Sequence, residues 1–304
     1  MVTALGRVRA FVKLGRPLFL GGGFVMYALG AALASSVGAP IDWQQYAWGQ
    51  LAVTATQLMT HYANDYFDQE ADRANTTPTR WSGGSRVLIA GALPPSVALV
   101  TALLLAAIAL GTVAHFALAM VSPVVAMGLA VMIGLSWGYS APPLRLHSRG
   151  LGELTTATVV TLLVPGLGFV LQTDAPRLLL PLAVAPLCIF QFAMLLAIEF
   201  PDAAGDRVTG KRTLVVRWGA GRAARVYVAV IATAYLILPA LVAAGLPLRM
   251  AVAALAPFPI AAWQIVRITT GAWRNPQRWE SVAFWSVALL ILTGTAELLA
   301  AASL

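Results

Sequence analysis

Only twelve of the 304 residues are acidic, and seven of those fall in two short windows. The first runs Asn64-Asp65-Tyr66-Phe67-Asp68-Gln69-Glu70-Ala71-Asp72, the second Glu199-Phe200-Pro201-Asp202-Ala203-Ala204-Gly205-Asp206. Asn64, Asp68 and Asp72 recur at i, i+4 and i+8, Asp65 stands three before Asp68, and Asp202 and Asp206 are four apart. On a helix each set lines one face. Like charges at that spacing repel and destabilise a bare helix, and a bound divalent cation removes the repulsion. Oxygen-only ligands favour magnesium, calcium or manganese over zinc. Magnesium accepts one or two carboxylates, keeps waters and shares substrate phosphate oxygens. Arg73 trails the first window, and Arg207, Lys211 and Arg212 trail the second. Acids that hold Mg²⁺ beside such cations suit a diphosphate: the metal bridges its oxygens and the cations neutralise charge as it departs. The windows also resemble each other at an offset of 134 residues, where Asp68, Asp72 and Arg73 match Asp202, Asp206 and Arg207.

The elements that carry these acids are drawn by the gaps between charges. Residues 17–41, 43–64, 154–173, 178–198, 226–248, 250–266 and 281–296 hold no Asp, Glu, Lys or Arg, and neither does the long run 87–144. A spanning helix needs roughly 20 apolar residues, so the long run divides into two helices, split near Ala114–Leu118 and ending before Tyr139. The expectation is an all-α integral membrane protein, 1–304 forming one domain: a bundle of nine transmembrane helices around a central cavity. An internal four-helix repeat, with motifs at 64–73 and 198–207, fits the offset. With the N-terminus in the cytoplasm, eighteen of the twenty Lys and Arg lie on that side and only Arg177 and Arg249 outside, a strong positive-inside bias. Both acid windows then sit at cytoplasmic helix ends.

Composition excludes the other classes. Apolar residues make up 59% of the chain and charged residues 11%, against about 25% charged in a soluble domain. Topology accounts for the net charge of +8, so no nucleic-acid partner is expected. Cys188 alone makes no disulfide framework, and three scattered histidines make no zinc site. The first apolar run is too long for the core of a cleaved signal peptide. Acids paired in helices also serve cation transporters, but those belong near mid-bilayer, whereas both windows lie at one edge beside basic residues.

The pattern Asn64-Asp65-x-x-Asp68-x-x-x-Asp72 with Asp202-x-x-x-Asp206 resembles the two aspartate-rich motifs of the UbiA superfamily of intramembrane prenyltransferases. Tyr139-Ser140-Ala141-Pro142-Pro143-Leu144-Arg145 with Arg149-Gly150-Leu151-Gly152-Glu153 resembles that family's helix 4–5 loop. Gly210-Lys211-Arg212-Thr213-Leu214 and Arg217-Trp218-Gly219 resemble the segment after its second motif, and Arg16-Pro17 opens the first span. The resemblance implies an isoprenyl diphosphate held through Mg²⁺, two ions, between the motifs. Asp65, Asp68, Asp72, Asp202 and Asp206 would hold the metal with Asn64 assisting, while Asn64, Arg73, Tyr139, Arg145 and Lys211 meet the diphosphate. An aromatic acceptor captures the allylic cation. Trp81-Ser82-Gly83-Gly84-Ser85-Arg86-Val87-Leu88 and Leu93-Pro94-Pro95 look most like the branch that prenylates 1,4-dihydroxy-2-naphthoate for menaquinone, with 4-hydroxybenzoate as the alternative acceptor. That branch often carries Asn-Asn ahead of the second motif, where this chain has Ile198-Glu199. A bacterial cell membrane, with the active site toward the cytoplasm, is the implied setting.

Three residues stand outside the motifs. His61 lies one turn before Asp65 and serves as base or as packing. Glu199 is a further ligand, a proton acceptor or an ion-pair partner. Glu297 has no assigned role, and Gly21-Gly22-Gly23 reads as a site of close helix packing.

Overall fold

Residues suited to helix starts open most of the elements. A computed structural model describes residues 3–119 and 123–304, which are helical with no strand among them. The hydroxyl of Thr3 accepts from the Gly6 N–H at 3.2 Å and caps α1 (Ala4–Leu14). This helix exposes Leu5, Val8, Phe11 and Val12 beside Arg7, Arg9 and Lys13, a composition that suits the membrane interface. Pro17 opens α2 (Pro17–Ser36) at a position whose missing N–H costs nothing. Asp42 caps α3 (Trp43–Phe67) by accepting from Gln44 and Gln45 N–H, and Asp68 separates it from α4 (Gln69–Ala74). Prolines also open α5 (Pro95–Leu118) and α6 (Pro123–Gly138).

α7 (Gly152–Thr158) continues through one π turn, Val159–Leu163, into α8 (Val164–Thr173). Pro165 lacks the N–H that an α-helix would direct at the Thr161 carbonyl, and the wider turn absorbs that misfit. α9 (Leu179–Glu199) descends to the second acid window, followed by α10 (Ala203–Val208) and α11 (Leu214–Trp218). α12 (Ala220–Leu236) and α13 (Leu238–Ala243) form one apolar rod. α14 (Leu248–Leu255) and α15 (Phe258–Thr269) meet at a 43° bend, and Asn275 caps α16 (Pro276–Ala302).

Among the described residues six helices are long and apolar enough to cross a membrane, and the bent pair, counted as one span, makes a seventh. The remaining two expected spans are helical but fall short in different ways. α3 has 25 residues yet turns Thr56, Gln57, Thr60, His61 and Asn64 to a cavity, while α6 is apolar but has 16 residues. The expected split at Ala114–Leu118 is corrected: α5 runs unbroken through Leu118, and residues 120–122 of the connection lie outside the described residues. Leu103, Leu104, Leu110, Met127 and Leu236 are at least half exposed, an apolar girdle that only lipid would cover.

α2 lies at the centre, against α8, α16 and α3, and α9 packs on α16, α12 and α7. A Cβ on Gly30 would overlap the Pro165 carbonyl, so only glycine lets α2 and α8 come this close. α4 packs on α10, where a Cβ on Gly205 would lie 2.9 Å from the Asn75 nitrogen. That contact brings the two acid windows together.

Candidate active site

Lys211 is the point where the windows meet. Its Nζ lies 3.1 Å from Asp68 Oδ2 and 3.4 Å from Asp206 Oδ1. Asn64 Nδ2 donates to Asp68 Oδ2 at 2.7 Å and to Ser140 Oγ at 2.9 Å. Asn75, which ends α4, donates to Asp202 Oδ1 at 2.6 Å. Two acid motifs far apart in sequence therefore share one hydrogen-bonded network.

Asp65 has a different role from its neighbours. Arg16 Nη2 lies 2.6 Å from Asp65 Oδ1 and also donates to Asn64 Oδ1 at 3.2 Å. The Ser85 N–H and hydroxyl both donate to the same carboxylate. Asp65 is 3% exposed and does not line the cavity, so the expectation that it faces a metal is corrected: its oxygens are occupied by Arg16 and Ser85. Arg16 adopts a left-handed backbone, φ 46°, a conformation that costs about 1–3 kcal/mol and persists where surroundings over-determine it. Arg86, φ 64°, donates to the Asp72 carbonyl. Gly84, at φ 72°, lies so close to Asp72 that a Cβ would run into its carboxylate, while Ser82 and Gly83 reach Asp202, so the segment Ser82–Arg86 touches both windows.

Electrostatics divide the acids into two groups. Burial pushes Asp68 up, but the charge of Lys211, with hydrogen bonds from Lys211 and Asn64, holds it below the usual carboxylate range. Burial pushes Asp72 up to about 7, with Asp68 and Asp65 adding to it and Arg16 opposing. Burial and Asp206 push Asp202 up to about 7 against the pull of Lys211. Burial also holds Asp206 above its ordinary value despite Lys211. Lys211 is lowered by burial but raised, on balance, by Asp68 and Asp206. Burial and then Lys211 bring His147 down to about 3, so its ring is neutral.

The raised pair carries a stability consequence. Folded-state values near 7 exceed the ordinary 3.8, so the folded protein keeps protons that the unfolded chain releases. The stability these two groups contribute is full below about pH 4 and is lost as pH rises through about 7. The thermal midpoint of the metal-free protein is expected to fall across that window, and a D72N/D202N double variant to flatten the fall. Equal slopes in the two proteins contradict the assignment.

Whether these residues suit a metal follows from their donor set. Among the described residues no three His, Cys, Asp or Glu side chains form a ready-made cage, because Lys211 and Arg16 stand among the carboxylates. Asp206 Oδ2 is nevertheless buried without a partner, and Asp72 and Asp202 line the cavity with no salt bridge of their own among the described residues. Hard oxygens short of positive charge fit a dication that takes its remaining ligands from water and phosphate.

The cavity, of about 380 Å³, is polar at this end, with Arg16, Asn64, Asp68, Asp72, Asp202 and Lys211. Beyond them Met26, Val53, Val160, Val164, Leu290 and Ile291 make it apolar. The UbiA prenyltransferase family model matches residues 24–298. The chain belongs to that family. As a UbiA-family prenyltransferase, it is an enzyme that transfers prenyl groups. A structure of digeranylgeranylglyceryl phosphate synthase in membranes resembles it with TM-score 0.66 at 14% identity, covering 98% of this chain and 99% of that one. A UbiA homolog from Archaeoglobus fulgidus bound to GPP and Mg²⁺ gives 0.65 at 17% identity, with 97% and 100% covered. The apo UbiA homolog from Aeropyrum pernix K1 gives 0.63 at 18%, with 90% and 96% covered. No curated protein matches the chain in sequence.

In this prenyltransferase the expected site residues separate cleanly. Asn64, Asp68, Asp72, Tyr139, Asp202 and Lys211 line the cavity, and Asp206 supports it through Lys211. Arg73 and Arg145 do not: both are exposed and absent from the cavity wall. Arg73 follows Asp72 on a helix, where consecutive side chains point about 100° apart. Arg145 occupies a left-handed turn, φ 45°, that aims it outward. Arg16 supplies the second cation instead, along with Ser82, Gly83 and Gly84 from a loop without helical periodicity. Arg16-Pro17 was visible in sequence only as the start of a span.

Proposed function

We propose that this enzyme transfers a polyprenyl group from an isoprenyl diphosphate to an aromatic acceptor, 1,4-dihydroxy-2-naphthoate, with magnesium as cofactor. The observation that carries the reading is Lys211, bridging the two aspartate windows at the mouth of an apolar cavity. That the Archaeoglobus homologs hold GPP or DMAPP with Mg²⁺ supports it. The acceptor rests on the Trp81–Leu88 segment, which here touches both windows.

Asp68, Asp72, Asp202 and Asp206 would hold Mg²⁺, two ions, with Asn64 orienting Asp68. When bound by these carboxylates, magnesium would supply the positive charge that a departing diphosphate needs. Lys211 and Arg16 hold the diphosphate and stabilise it as a leaving group. Tyr139 lines the same end. The apolar wall seats the prenyl chain and excludes water from the allylic cation. We further read nine spans with the N-terminus and the site toward the cytoplasm, as the distribution of arginines favours. The 134-residue offset superposes α4 (Gln69–Ala74) on α10 (Ala203–Val208), which supports an internal duplication within one domain.

Purified enzyme given Mg²⁺, a labelled isoprenyl diphosphate and the naphthoate is expected to release diphosphate and form prenylated product only when all three are present. Release at the same rate without any aromatic acceptor, or no product with the naphthoate while another aromatic is prenylated, overturns the donor or the acceptor assignment respectively.

A further inference from the structure

One wall of the cavity has, beside Tyr139, two polar groups that diphosphate binding leaves unused, His147 and Glu199. Tyr139, His147 and Glu199 line it together. The Tyr139 and His147 rings stack with centroids 4.9 Å apart at 18°, and the Tyr139 hydroxyl lies 3.2 Å from His147 Nδ1. Glu199 Oε1 is 3.6 Å from the same nitrogen, beyond hydrogen-bond reach. Glu199 is 2% exposed, and apart from the neighbouring Glu153 carboxyl no donor reaches its oxygens among the described residues. Behind it stands the fully buried carboxyl group of Glu153, close enough to share a proton with Glu199. A Cβ on Gly152 would lie 2.6 Å from His147 Nδ1, so the glycine makes room for the imidazole.

A buried pair of carboxyls that have only each other, with at most a shared proton between them, is a costly feature to keep. Its cost is offset when a ligand arrives carrying donors. Lys211 does not fill that role, since its ammonium group is held between Asp68 and Asp206. The ligand must also be flat enough to lie beside two stacked rings. It cannot place a carboxylate here, against two acids, and the cations lining the same cavity are Arg16 and Lys211.

We propose that Glu199 and His147 form the acceptor subsite, binding the ring hydroxyls of a hydroxylated aromatic while its anionic end turns away from the Glu153–Glu199 pair. The proposal rests on the prenyl-transfer reading and specifies how the acceptor is recognised. It also gives a use for a glutamate at a position where the naphthoate branch often carries asparagine.

The test varies acceptor and donor separately in the full-length enzyme. In E199Q the acceptor KM for 1,4-dihydroxy-2-naphthoate is expected to rise tenfold or more, while the donor KM and the Mg²⁺ requirement stay within twofold. H147N, kept in reserve should E199Q not fold, is expected to behave alike, and E199D to recover part of the loss. Calorimetry without donor reads the same subsite independently of turnover: wild type is expected to bind the naphthoate tenfold more tightly than its 1,4-dimethoxy counterpart, and E199Q to lose that preference. An unchanged acceptor KM and preference, or a shift confined to donor KM or Mg²⁺ requirement, overturns the subsite. Absence of transfer by wild type with any acceptor sinks the prenyl-transfer reading instead, while the calorimetric preference still decides the subsite.

Discussion

Replacing Lys211 with methionine is expected to lower kcat/KM by about 10³-fold, the scale of removing one preorganised charge from a reacting centre. The reasoning is local. Lys211 is the only cation within 4 Å of both windows among the described residues, touching Asp68 and Asp206 at once. Methionine preserves most of the buried stem and removes the charge alone. Two buried carboxylates are then left facing each other, and breaking a buried pair costs about 3–5 kcal/mol. The variant is therefore also expected to melt earlier without metal, and to gain more from added Mg²⁺ than wild type does, since the dication replaces part of the lost charge. Steady-state kinetics and thermal melts with and without Mg²⁺ read both effects. Wild-type kcat/KM in a folded K211M protein contradicts the role.

The opposite behaviour is expected of D202N. Asp202 is pushed up to about 7 by burial and by Asp206, so above that pH its charge works against folding. Asparagine removes the repulsion and keeps a carbonyl to accept from Asn75, which now donates at 2.6 Å. At pH 8 the metal-free midpoint is expected to stay level or rise, while kcat falls by about 10³-fold, the trade between stability and activity that strained sites show. D65N reverses the pattern. Asp65 anchors Arg16 and Ser85, so its loss is expected to appear first as a lower midpoint. A stable D65N with no activity, beside an unstable D202N, contradicts this division of labour.

How much of this was legible beforehand depended on how rare charge is in the chain. In a sequence so apolar the acidic windows stand out, and their helical spacing placed Asp68, Asp72 and Asp202 on a common cavity. The charge-free runs also located α3, whose polar cavity face conceals it from a hydropathy measure. Where no charge marks a boundary the reading failed: in the run 87–144 Pro123, which opens α6, was the signal that a split near Ala114 passed over. Adjacency misled for Arg73 and Arg145, because a neighbour in sequence is turned away by helix geometry or by a left-handed turn. Arg16 and Ser85 lie far from Asp65 in sequence, and only the packing of α2 on α3 brings the arginine to the acid. Glu199 was visible as a departure from pattern, but its burial against Glu153 on the cavity wall is a property of the fold.

The central claim is that both windows act on one diphosphate through shared dications. Manganese, as a paramagnetic stand-in for magnesium, tests it by EPR titration with an isoprenyl diphosphate present. Wild type is expected to bind two ions only when the diphosphate is added, and D68N and D202N each to lose that diphosphate-dependent binding. Two independent ions that bind without diphosphate, each abolished by one variant and untouched by the other, contradict a shared site.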